Sequence, residues 1–312
     1  MKKYIKVFKR WFGMLSGKSV FHKAQSKGTL MCKDAVRGYY SDLRHKVKDN
    51  NVLDQFGVPI NTSNEGRAFY FPIAVFQYGL GAYDLFLETG DESYKGKFMN
   101  IVNWALENQQ MNGAWDAFGW CDEQHPFSSM AQSEGASLLC RAFIETKDEN
   151  YLKYAKKALD FMLVSVEDGG TAYYDDLGNL VSLEESGKIK TVMNGMIFSV
   201  WGIFDYLLCA SDDNLERRLT QAVESLSGLL PQFDRGYWSN YDLENHIASP
   251  FYHTLHIEQL KVMEELFPDK NFKDYRQKFE KYSNSKLKSK RAFVVKAIQK
   301  MRSIKSDSVI VE

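Results

Sequence analysis

Four stretches of similar design decide the fold of this chain: LFLETGDESYKGKF (85–98), RAFIETKDENYLKY (141–154), YLLCASDDNLERRL (206–219) and ELFPDKNFKDYRQKF (265–279). Each contains the end of an apolar helix, a short polar turn and the start of a second helix. The Asp, Glu or Asn in each turn is of a type favoured at helix N-caps and in first turns. The preceding helices begin near Pro72, Ser128, Val192 and Tyr252, at intervals of 56, 64 and 60 residues. This repeat predicts at least four helical hairpins.

The two helices of each predicted hairpin differ in character. The first is apolar on most sides, as in PIAVFQYGLGAYDLFL (72–87) and VMNGMIFSVWGIFDYLL (192–208), whereas the second is amphipathic, as in NYLKYAKKALDFML (150–163). An apolar helix among amphipathic ones is buried on both sides. We therefore predict a mainly α fold, an (α/α) barrel or toroid whose inner ring of helices has a cleft at its N-terminal end.

Three long links, 110–127, 165–191 and 231–251, all lead into predicted inner helices and should gather on one face. They are rich in Gly, Trp, Tyr, Asp and Asn, and the segment GGTAYYDDLGN (169–179) predicts a short β-hairpin. Loops on a rigid scaffold are where function usually resides.

Composition and charge exclude several classes of protein. The chain has 312 residues, 44% of them hydrophobic and 26% charged, which excludes a disordered chain, a collagen-like repeat and a small disulfide scaffold. Residues 1–48 hold 13 Lys/Arg and 2 Asp/Glu, and residues 270–305 also hold 13 and 2. Subtracting both from 40 and 40 leaves 14 basic and 36 acidic residues, so two basic ends flank an acidic body.

The basic ends also carry a helical apolar pattern. Lys6, Lys9 and Arg10 interrupt the apolar run of MKKYIKVFKRWFGMLSGKSV (1–20), so it is not a signal peptide, and KLKSKRAFVVKAIQKMR (286–302) has the same design. Both resemble interfacial amphipathic helices, and the alternative is that they pack on the body. Since no stretch reaches the ~18–20 apolar residues of a membrane span, we expect a cytoplasmic protein, peripheral at an anionic membrane surface. Nothing in the pattern indicates nucleic-acid binding.

The predicted organisation has three parts. A basic N-terminal segment with irregular structure covers 1–60, the helical domain covers 61–283, and a basic amphipathic helix and tail cover 284–312. The four cysteines form no CxxC pair and are expected to be free thiols: Cys32, Cys121, Cys140 and Cys209.

No nucleotide loop, HExxH, GxSxG or metal-spaced His/Cys cluster is present in the sequence, so we expect no cofactor and no metal. His253 and His256 are three residues apart, but no third ligand is spaced to join them. The predicted face instead collects carboxylates, phenols and imidazoles, which suit proton transfer. Its members are Glu184, Glu185, Asn194, Tyr241, Asp242, Tyr252, His253 and His256.

Five strings resemble the C-terminal catalytic region of D-glucuronyl C5-epimerases: FPIAVFQYGLGAYD (71–84), MAQSEGASLLCRAF (130–143), VMNGMIFSVWGIFDY (192–206), YWSNYDL (237–243) and FYHTLHIEQL (251–260). The resemblance runs in order over about residues 65–265. Members of that family convert D-glucuronate to L-iduronate in heparosan- and heparan-type polysaccharides during glycosaminoglycan biosynthesis. Their fold is an (α/α) barrel preceded by β domains, which here are missing or reduced to residues 1–60.

The resemblance implies roles for individual residues. Removing the C5 proton, which lies α to a carboxylate, needs one group to take it and another to return it from the opposite face. The catalytic positions are matched by Glu185, Tyr252 and Tyr241. The positions that bind or surround the substrate are matched by Asn194, Gln77 and Tyr78, to which we add the neighbouring His253, Glu184 and His256. Because animal members are dimeric, the resemblance also implies a homodimer.

Three departures from the family pattern keep other functions open. Ser186 replaces a tyrosine after the two glutamates, Glu244 replaces an arginine after YDL, and Phe198 replaces a tyrosine after the NG motif. One alternative is a lyase, since β-elimination shares the same carbanion. Another is a glycoside hydrolase that uses Asp116 with Asp242 or Glu185 as its two carboxylates. The third is a non-catalytic glycan-binding protein with a degenerate site.

Overall fold

The computed structural model describes residues 25–48, 51–63 and 66–303. The chain divides into two compact units. The larger unit comprises residues 28–228, and the described part of the smaller unit comprises residues 25–27 and 229–303. The N-terminal amphipathic helix predicted within residues 1–20 lies outside the described residues. None of the helices in the described ranges is long and apolar enough to cross a membrane.

The larger unit is built from consecutive helical hairpins, as the repeat predicts. Its helices are α1 (Arg44–Lys48), α2 (Pro72–Thr89), α3 (Glu92–Asn108), α4 (Ser129–Thr146), α5 (Asn150–Met162), α6 (Met193–Cys209) and α7 (Asp213–Phe233), of which the last five residues belong to the smaller unit. The link predicted from residue 231 begins only after Phe233, because Pro231 is accommodated in the last turn of α7.

Local chemistry explains where these helices start and stop. Pro72 occupies the first turn of α2, where its missing N–H costs nothing, and the helix ends at Gly90 in the left-handed conformation (φ 70°). The side chain of Asp91 then caps α3 by accepting from the backbone N–H of Ser93 at 2.8 Å. Ser128 caps α4 and Val192 immediately precedes α6, so three predicted helix starts are confirmed.

The three apolar helices α2, α4 and α6 run in the same direction and form the interior of the larger unit. The hydroxyl of Ser199 donates to that of Ser129 at 2.8 Å, near the start of both α4 and α6. One turn further, a Cβ on Gly202 would lie 2.3 Å from Ser133 Oγ, so only glycine permits this helix contact. The N-terminal ends of these helices therefore lie at one end of the unit.

Two short antiparallel hairpins complete the larger unit. Strands β1 (Asn61–Thr62) and β2 (Ala68–Phe69) pair with each other, as do β3 (Ala172–Tyr174) and β4 (Leu180–Leu183). The second hairpin confirms the turn pattern of GGTAYYDDLGN, and it delivers the chain to the start of α6.

The other end of α2, α4 and α6 is closed by residues 38–40. Arg141 donates to Asp205 Oδ2 at 2.7 Å and to the carbonyl of Gly38 at 3.1 Å. The hydroxyl of Tyr40 donates to Asp205 Oδ1 at 2.9 Å, and the backbone N–H of Tyr39 donates to Asp84 Oδ1 at 2.9 Å. We name Asp84, Arg141 and Asp205 the closed polar layer. Its members come from three helices, and residues 38–40 of the N-terminal segment bind to all three.

The smaller unit contains a fourth helical hairpin and a terminal helix. Its helices are α8 (Pro250–Leu266), α9 (Phe272–Ser283) and α10 (Lys286–Ser303). The hydroxyl of Ser249 caps α8 by accepting from Tyr252 N at 3.3 Å, so the start predicted near Tyr252 is confirmed.

The four cysteines are free thiols, as expected. The three-part domain division stays a prediction.

Candidate functional site

Glu185 lies over the start of α6 in the larger unit. A Cβ built on Gly195 would lie 3.2 Å from Glu185 Cβ and 3.4 Å from Glu185 Oε2, so the glycine leaves room for this carboxylate. Asn194 is the neighbouring residue and is buried. Two residues predicted from the sequence, a half-buried carboxylate and a buried amide, are thereby brought together at an inner-helix N-terminus.

Gln77 lies one and a half turns into α2 and contacts an acidic residue that sequence reasoning did not assign a role. Its amide donates to Glu134 Oε1 at 3.0 Å. Glu134 is fully buried, and among the described residues no hydrogen-bond partner reaches its second oxygen, Oε2. Burial raises the pKa of Glu134 to about 8, a shift opposed by Gln77 and Lys46 and reinforced by Glu185. Glu134 is therefore a neutral carboxylic acid at pH 7, within electrostatic reach of Glu185.

The repeat contains a signal that would have found Glu134. Gln77 and Glu134 are each the sixth residue of their helices, α2 and α4, so aligning the hairpins places them side by side. Phe198 holds the sixth position of α6 and is buried, with its ring parallel to that of Tyr39 at 6.5 Å between centroids. We name Gln77, Glu134, Asn194 and Glu185 the open polar layer. Tyr78 is also buried, which raises its pKa.

Glu184 has a different role from its neighbour Glu185. Its buried carboxylate accepts from the backbone N–H of Lys190 at 2.9 Å and of Thr191 at 2.8 Å, and from the hydroxyls of Thr191 at 3.0 Å and Ser182. Four donors saturate the carboxylate and hold the loop before α6, where Thr191 has a left-handed φ of 46°. This carboxylate shapes the loop that presents Glu185, and the expectation that Glu184 binds substrate stays a prediction.

An aromatic cleft of about 230 Å³ lies beside the start of α2 in the larger unit. Its lining includes the aromatic residues Tyr70, Trp104, Trp115 and Trp120, together with Asn108, Gln110 and Asp116. Asp116 accepts from Gly119 N at 2.6 Å and so also organises its own loop. Aromatic faces with a few polar groups are typical of sites that hold one ring-shaped ligand.

In the smaller unit, Tyr241 and Tyr252 form a ring pair with centroids 4.7 Å apart and planes at 60°. Both rings are half-buried at the start of α8. Lys296 of α10 places its ammonium group 6.0 Å from the centroid of the Tyr241 ring. From the sequence, Lys296 was expected only as part of a basic amphipathic helix. Burial, with help from Lys300, lowers the pKa of Lys296 to about 8. This placement of an amine over an aromatic ring is the geometry of a cation–π contact.

His253 and His256 belong to the interior of the smaller unit. His253 Nδ1 accepts from Ser239 N at 3.2 Å, which leaves the proton on Nε2, 3.2 Å from the carbonyl of Phe279. Ser239 Oγ lies 2.8 Å from this Nδ1 and 2.9 Å from His256 Nδ1. Burial lowers the pKa of His253 to about 3 and that of His256 well below 6.5. Both rings are buried and neutral, and the expectation that they contact substrate stays a prediction.

One group of described residues has metal-ligand spacing. Ligand atoms of Asp242, Glu244 and His246 lie within 4.8 Å of one another. His246 Nδ1 already lies 2.7 Å from Asp242 Oδ2, and the backbone N–H of His246 donates to Asp242 Oδ1 at 3.0 Å. These contacts make it a hydrogen-bonded turn that begins in the YDL string, with Glu244 Oε2 3.9 Å from His246 Nδ1.

Comparison with known proteins identifies the family to which the chain belongs. The sequence profile of the family "D-glucuronyl C5-epimerase C-terminus" matches residues 102–281. A D-glucuronyl C5-epimerase of Caenorhabditis elegans is 29% identical over 204 residues, covering 54% of this chain and 32% of that protein. An uncharacterized protein of Methanocaldococcus jannaschii is 28% identical over 136 residues, covering 42% and 44%. The chain thus spans less than half the length of these curated relatives.

Solved structures confirm the fold class. Cellobiose 2-epimerase from Spirochaeta thermophila matches with a TM-score of 0.51 at 10% identity, over 87% of this chain and 80% of that one. At this identity the likeness concerns the fold alone. The mainly α fold of (α/α) toroid type predicted from the hairpin repeat is confirmed.

Proposed function

Since the chain belongs to the family of the D-glucuronyl C5-epimerase C-terminus, we propose that it inverts C5 of a uronic acid residue in a polysaccharide. The substrate class is a uronate-containing glycan of the glucuronate–iduronate type. The observation that carries the proposal is the open polar layer, in which a half-buried carboxylate lies beside two amides and a neutral acid.

The reaction makes specific demands on these groups. Abstraction of the C5 proton leaves an enolate-like dianion, so hydrogen-bond donors must stabilise the growing charge on the uronate carboxylate. In our proposal Glu185 and Tyr252 exchange the proton from opposite faces of the sugar, and Tyr241 assists Tyr252. Asn194 and Gln77 supply amide donors to the substrate, and Tyr78 helps to line the cleft around the sugar.

The protonation state of the open polar layer supports this assignment. A second ionised carboxylate beside Glu185 would repel the uronate, but burial keeps Glu134 neutral at pH 7. Glu134 therefore adds no negative charge of its own to the layer. In the smaller unit, Lys296 lies over the ring of Tyr241 and is a basic group near this tyrosine, where the family's arginine is replaced by Glu244.

A non-catalytic glycan-binding protein is the second candidate. The saturated Glu184 and the buried His253 and His256 reduce the number of groups free for chemistry. The aromatic cleft around Trp120 would bind a sugar ring whether or not proton transfer occurs. This candidate predicts glycan binding without exchange at C5.

Deuterium exchange separates the candidates. The full chain is incubated in heavy water with heparosan and with other uronic-acid polymers, and incorporation at C5 is measured by mass spectrometry. We expect incorporation without chain cleavage, whereas new ultraviolet absorbance from an unsaturated product would identify a lyase. Glycan binding without either signal would identify the binding protein.

Variants test the individual roles. Tyr252→Phe and Glu185→Gln should each lower exchange by about 10²–10⁴-fold, since a positioned acid or base contributes that much. Asn194→Ala should mainly raise KM. Tyr154→Phe on α5 removes a phenol elsewhere and should leave exchange unchanged. Near-normal exchange in Tyr252→Phe would contradict the assignment.

A further inference from the structure

Helix α10 has an inward face that is firmly bound to its own unit. Ala292 is buried, and the side chain of Gln299 accepts from Ile247 N at 2.9 Å and donates to the carbonyl of Asn245 at 2.9 Å. Lys296 donates to the carbonyl of Ile247 at 2.7 Å. These contacts fix the rotation of the helix about its axis, so its outward face is defined.

The outward face carries a continuous row of exposed apolar side chains. Leu287, Val294, Ile298 and Met301 have exposed fractions of 81%, 54%, 40% and 59%. Their spacing of seven, four and three residues places them within about 60° of one another around a helix that turns 100° per residue. We call these four residues the apolar stripe. Exposing such a row to water is unfavourable, which indicates a partner.

Basic residues border the stripe on both sides. Helix α10 contains seven Lys/Arg and no Asp/Glu. Of these, Lys290, Arg291 and Arg302 are exposed next to the stripe, and the guanidinium of Arg291 rests 4.0 Å from the Tyr237 ring centroid. An apolar row with a cationic border is the pattern of helices that lie in the interface of a membrane.

We propose that the apolar stripe of α10 binds the surface of an anionic lipid bilayer, with Lys290, Arg291 and Arg302 at the level of the headgroups. The apolar stripe inserts among the acyl chains, and the lipid phosphates form ion pairs with the basic side chains. A second copy of α10 fits less well, because pairing two such faces brings their basic borders together. The segment 1–24 also has seven Lys/Arg and no Asp/Glu, so the same repulsion disfavours it as the occupant.

The proposal predicts a weak, salt-sensitive attachment. Each Lys or Arg near an anionic surface strengthens binding about fivefold, which corresponds to about 1 kcal/mol. Attachment should therefore weaken as salt screens the charges, and it should disappear on neutral lipid. This attachment is independent of the proposed epimerisation and is measurable without it.

Flotation of the full chain with vesicles tests the proposal. Vesicles of phosphatidylcholine with 30% phosphatidylglycerol are compared with pure phosphatidylcholine, at low and high salt. We expect flotation with the anionic vesicles only. Val294→Gln/Ile298→Gln should lower the partition coefficient at least about tenfold, because both side chains lose their apolar contact with lipid. Lys290→Glu/Arg302→Glu should lower it at least about 25-fold, fivefold for each charge.

Matched controls distinguish the stripe from general surface properties. Met111→Gln and Leu177→Gln alter exposed apolar residues of the larger unit, and Lys153→Glu/Lys157→Glu gives the same charge change on α5. All should float like the wild type. Circular dichroism should show unchanged helix content in every variant.

Three results would overturn the proposal. Undiminished flotation of the stripe variants would show that another segment binds the membrane. Equal flotation with neutral vesicles would show that the basic residues bordering the stripe do not contribute to binding. Failure of the wild type to float, together with a dimer that dissociates in Val294→Gln/Ile298→Gln by analytical ultracentrifugation, would assign the stripe to a second copy of the chain.

Discussion

The two polar layers in the larger unit lie about two turns apart on the same helices, yet they are built in opposite ways. The closed polar layer uses the thirteenth residues of α2, α4 and α6, Asp84, Arg141 and Asp205. Its opposite charges meet at 2.7 Å with neighbouring donors around them. In the open polar layer the sixth residues include Glu134, with one unpartnered oxygen and a pKa raised to about 8 by burial.

The difference separates a layer that specifies the fold from one suited to chemistry. A buried ion pair is costly to break, since removing one partner leaves an uncompensated charge. A buried carboxylic acid that stays neutral adds no charge to its surroundings. Burial also raises the pKa of Asp84 in the closed layer to about 7, so the two layers differ chiefly in the ion pair of Arg141 and Asp205.

The largest expected effect is on the closed layer. Arg141→Met should lower the free energy of unfolding by about 3–5 kcal/mol, because Asp205 remains buried without its cation. Urea denaturation at pH 7 measures the change. Lys156→Met, which breaks the solvent-accessible pairs with Asp160 and Asp212, should cost about 1 kcal/mol or less. Equal costs for the two variants would contradict the contrast between buried and exposed pairs.

The second prediction concerns the pH dependence of the open layer. The pKa of Glu134 is about 8 in the folded protein and ~4.3 when unfolded, so the folded state retains a proton that the unfolded state releases. This contribution to stability is fully present below pH ~4.3 and is lost as the pH rises toward 8, by up to about 1.4 kcal/mol per pH unit. Glu134→Gln should remove this loss, so the variant gains on the wild type between pH 6 and 8.

Denaturation at several pH values checks this prediction. Glu167→Gln, a change at an exposed carboxylate, is the control and should parallel the wild type at every pH. If the curves of Glu134→Gln and wild type are also parallel, Glu134 is ionised in the folded protein and the neutral-acid assignment fails.

Adjacent tyrosines give a sharper, smaller comparison. Tyr40→Phe removes the hydroxyl that donates to Asp205 and should cost about 1.5–3 kcal/mol, the range for a hydrogen bond to a charged group. Tyr39→Phe removes a buried hydroxyl for which the described residues offer no partner. It should be neutral or stabilising. Thermal unfolding of both variants measures the difference, and similar losses would refute it.

The smallest effect is expected midway between the layers. Among the described residues, no partner reaches the buried hydroxyl of Ser137, so Ser137→Ala loses no hydrogen bond. We expect a change in unfolding free energy within about 0.5 kcal/mol or a slight stabilisation. If denaturant titration shows that the free energy of unfolding falls by more than about 2 kcal/mol, the Ser137 hydroxyl has a hydrogen-bond partner and the prediction fails.

Much of the fold and part of the candidate site were predictable from the sequence. The helix starts at Pro72 and Ser128 follow from proline in the first turn and from a serine cap, which are local effects. The hairpin of β3 and β4 follows from its turn residues. Glu185 and Asn194 were singled out by the resemblance, and the structure brings them together at the start of α6.

The rest depended on contacts that form only in the folded chain. Glu184 and Glu185 are adjacent residues of the same type. Only the folded structure shows that Glu184 accepts from four donors and that Glu185 lies over Gly195. Nothing local distinguished Tyr39 from Tyr40, or showed that His253 and His256 share Ser239 in the interior.

The sequence by itself determined the helical hairpins, their approximate boundaries and the basic, amphipathic character of α10, because periodicity and capping act over a few residues. Tertiary structure alone decided which polar residues became saturated and which remained open, and which face of α10 reached solvent. Burial and partner identity arise when segments far apart in the chain meet, and these set both the neutral state of Glu134 and the exposure of Val294.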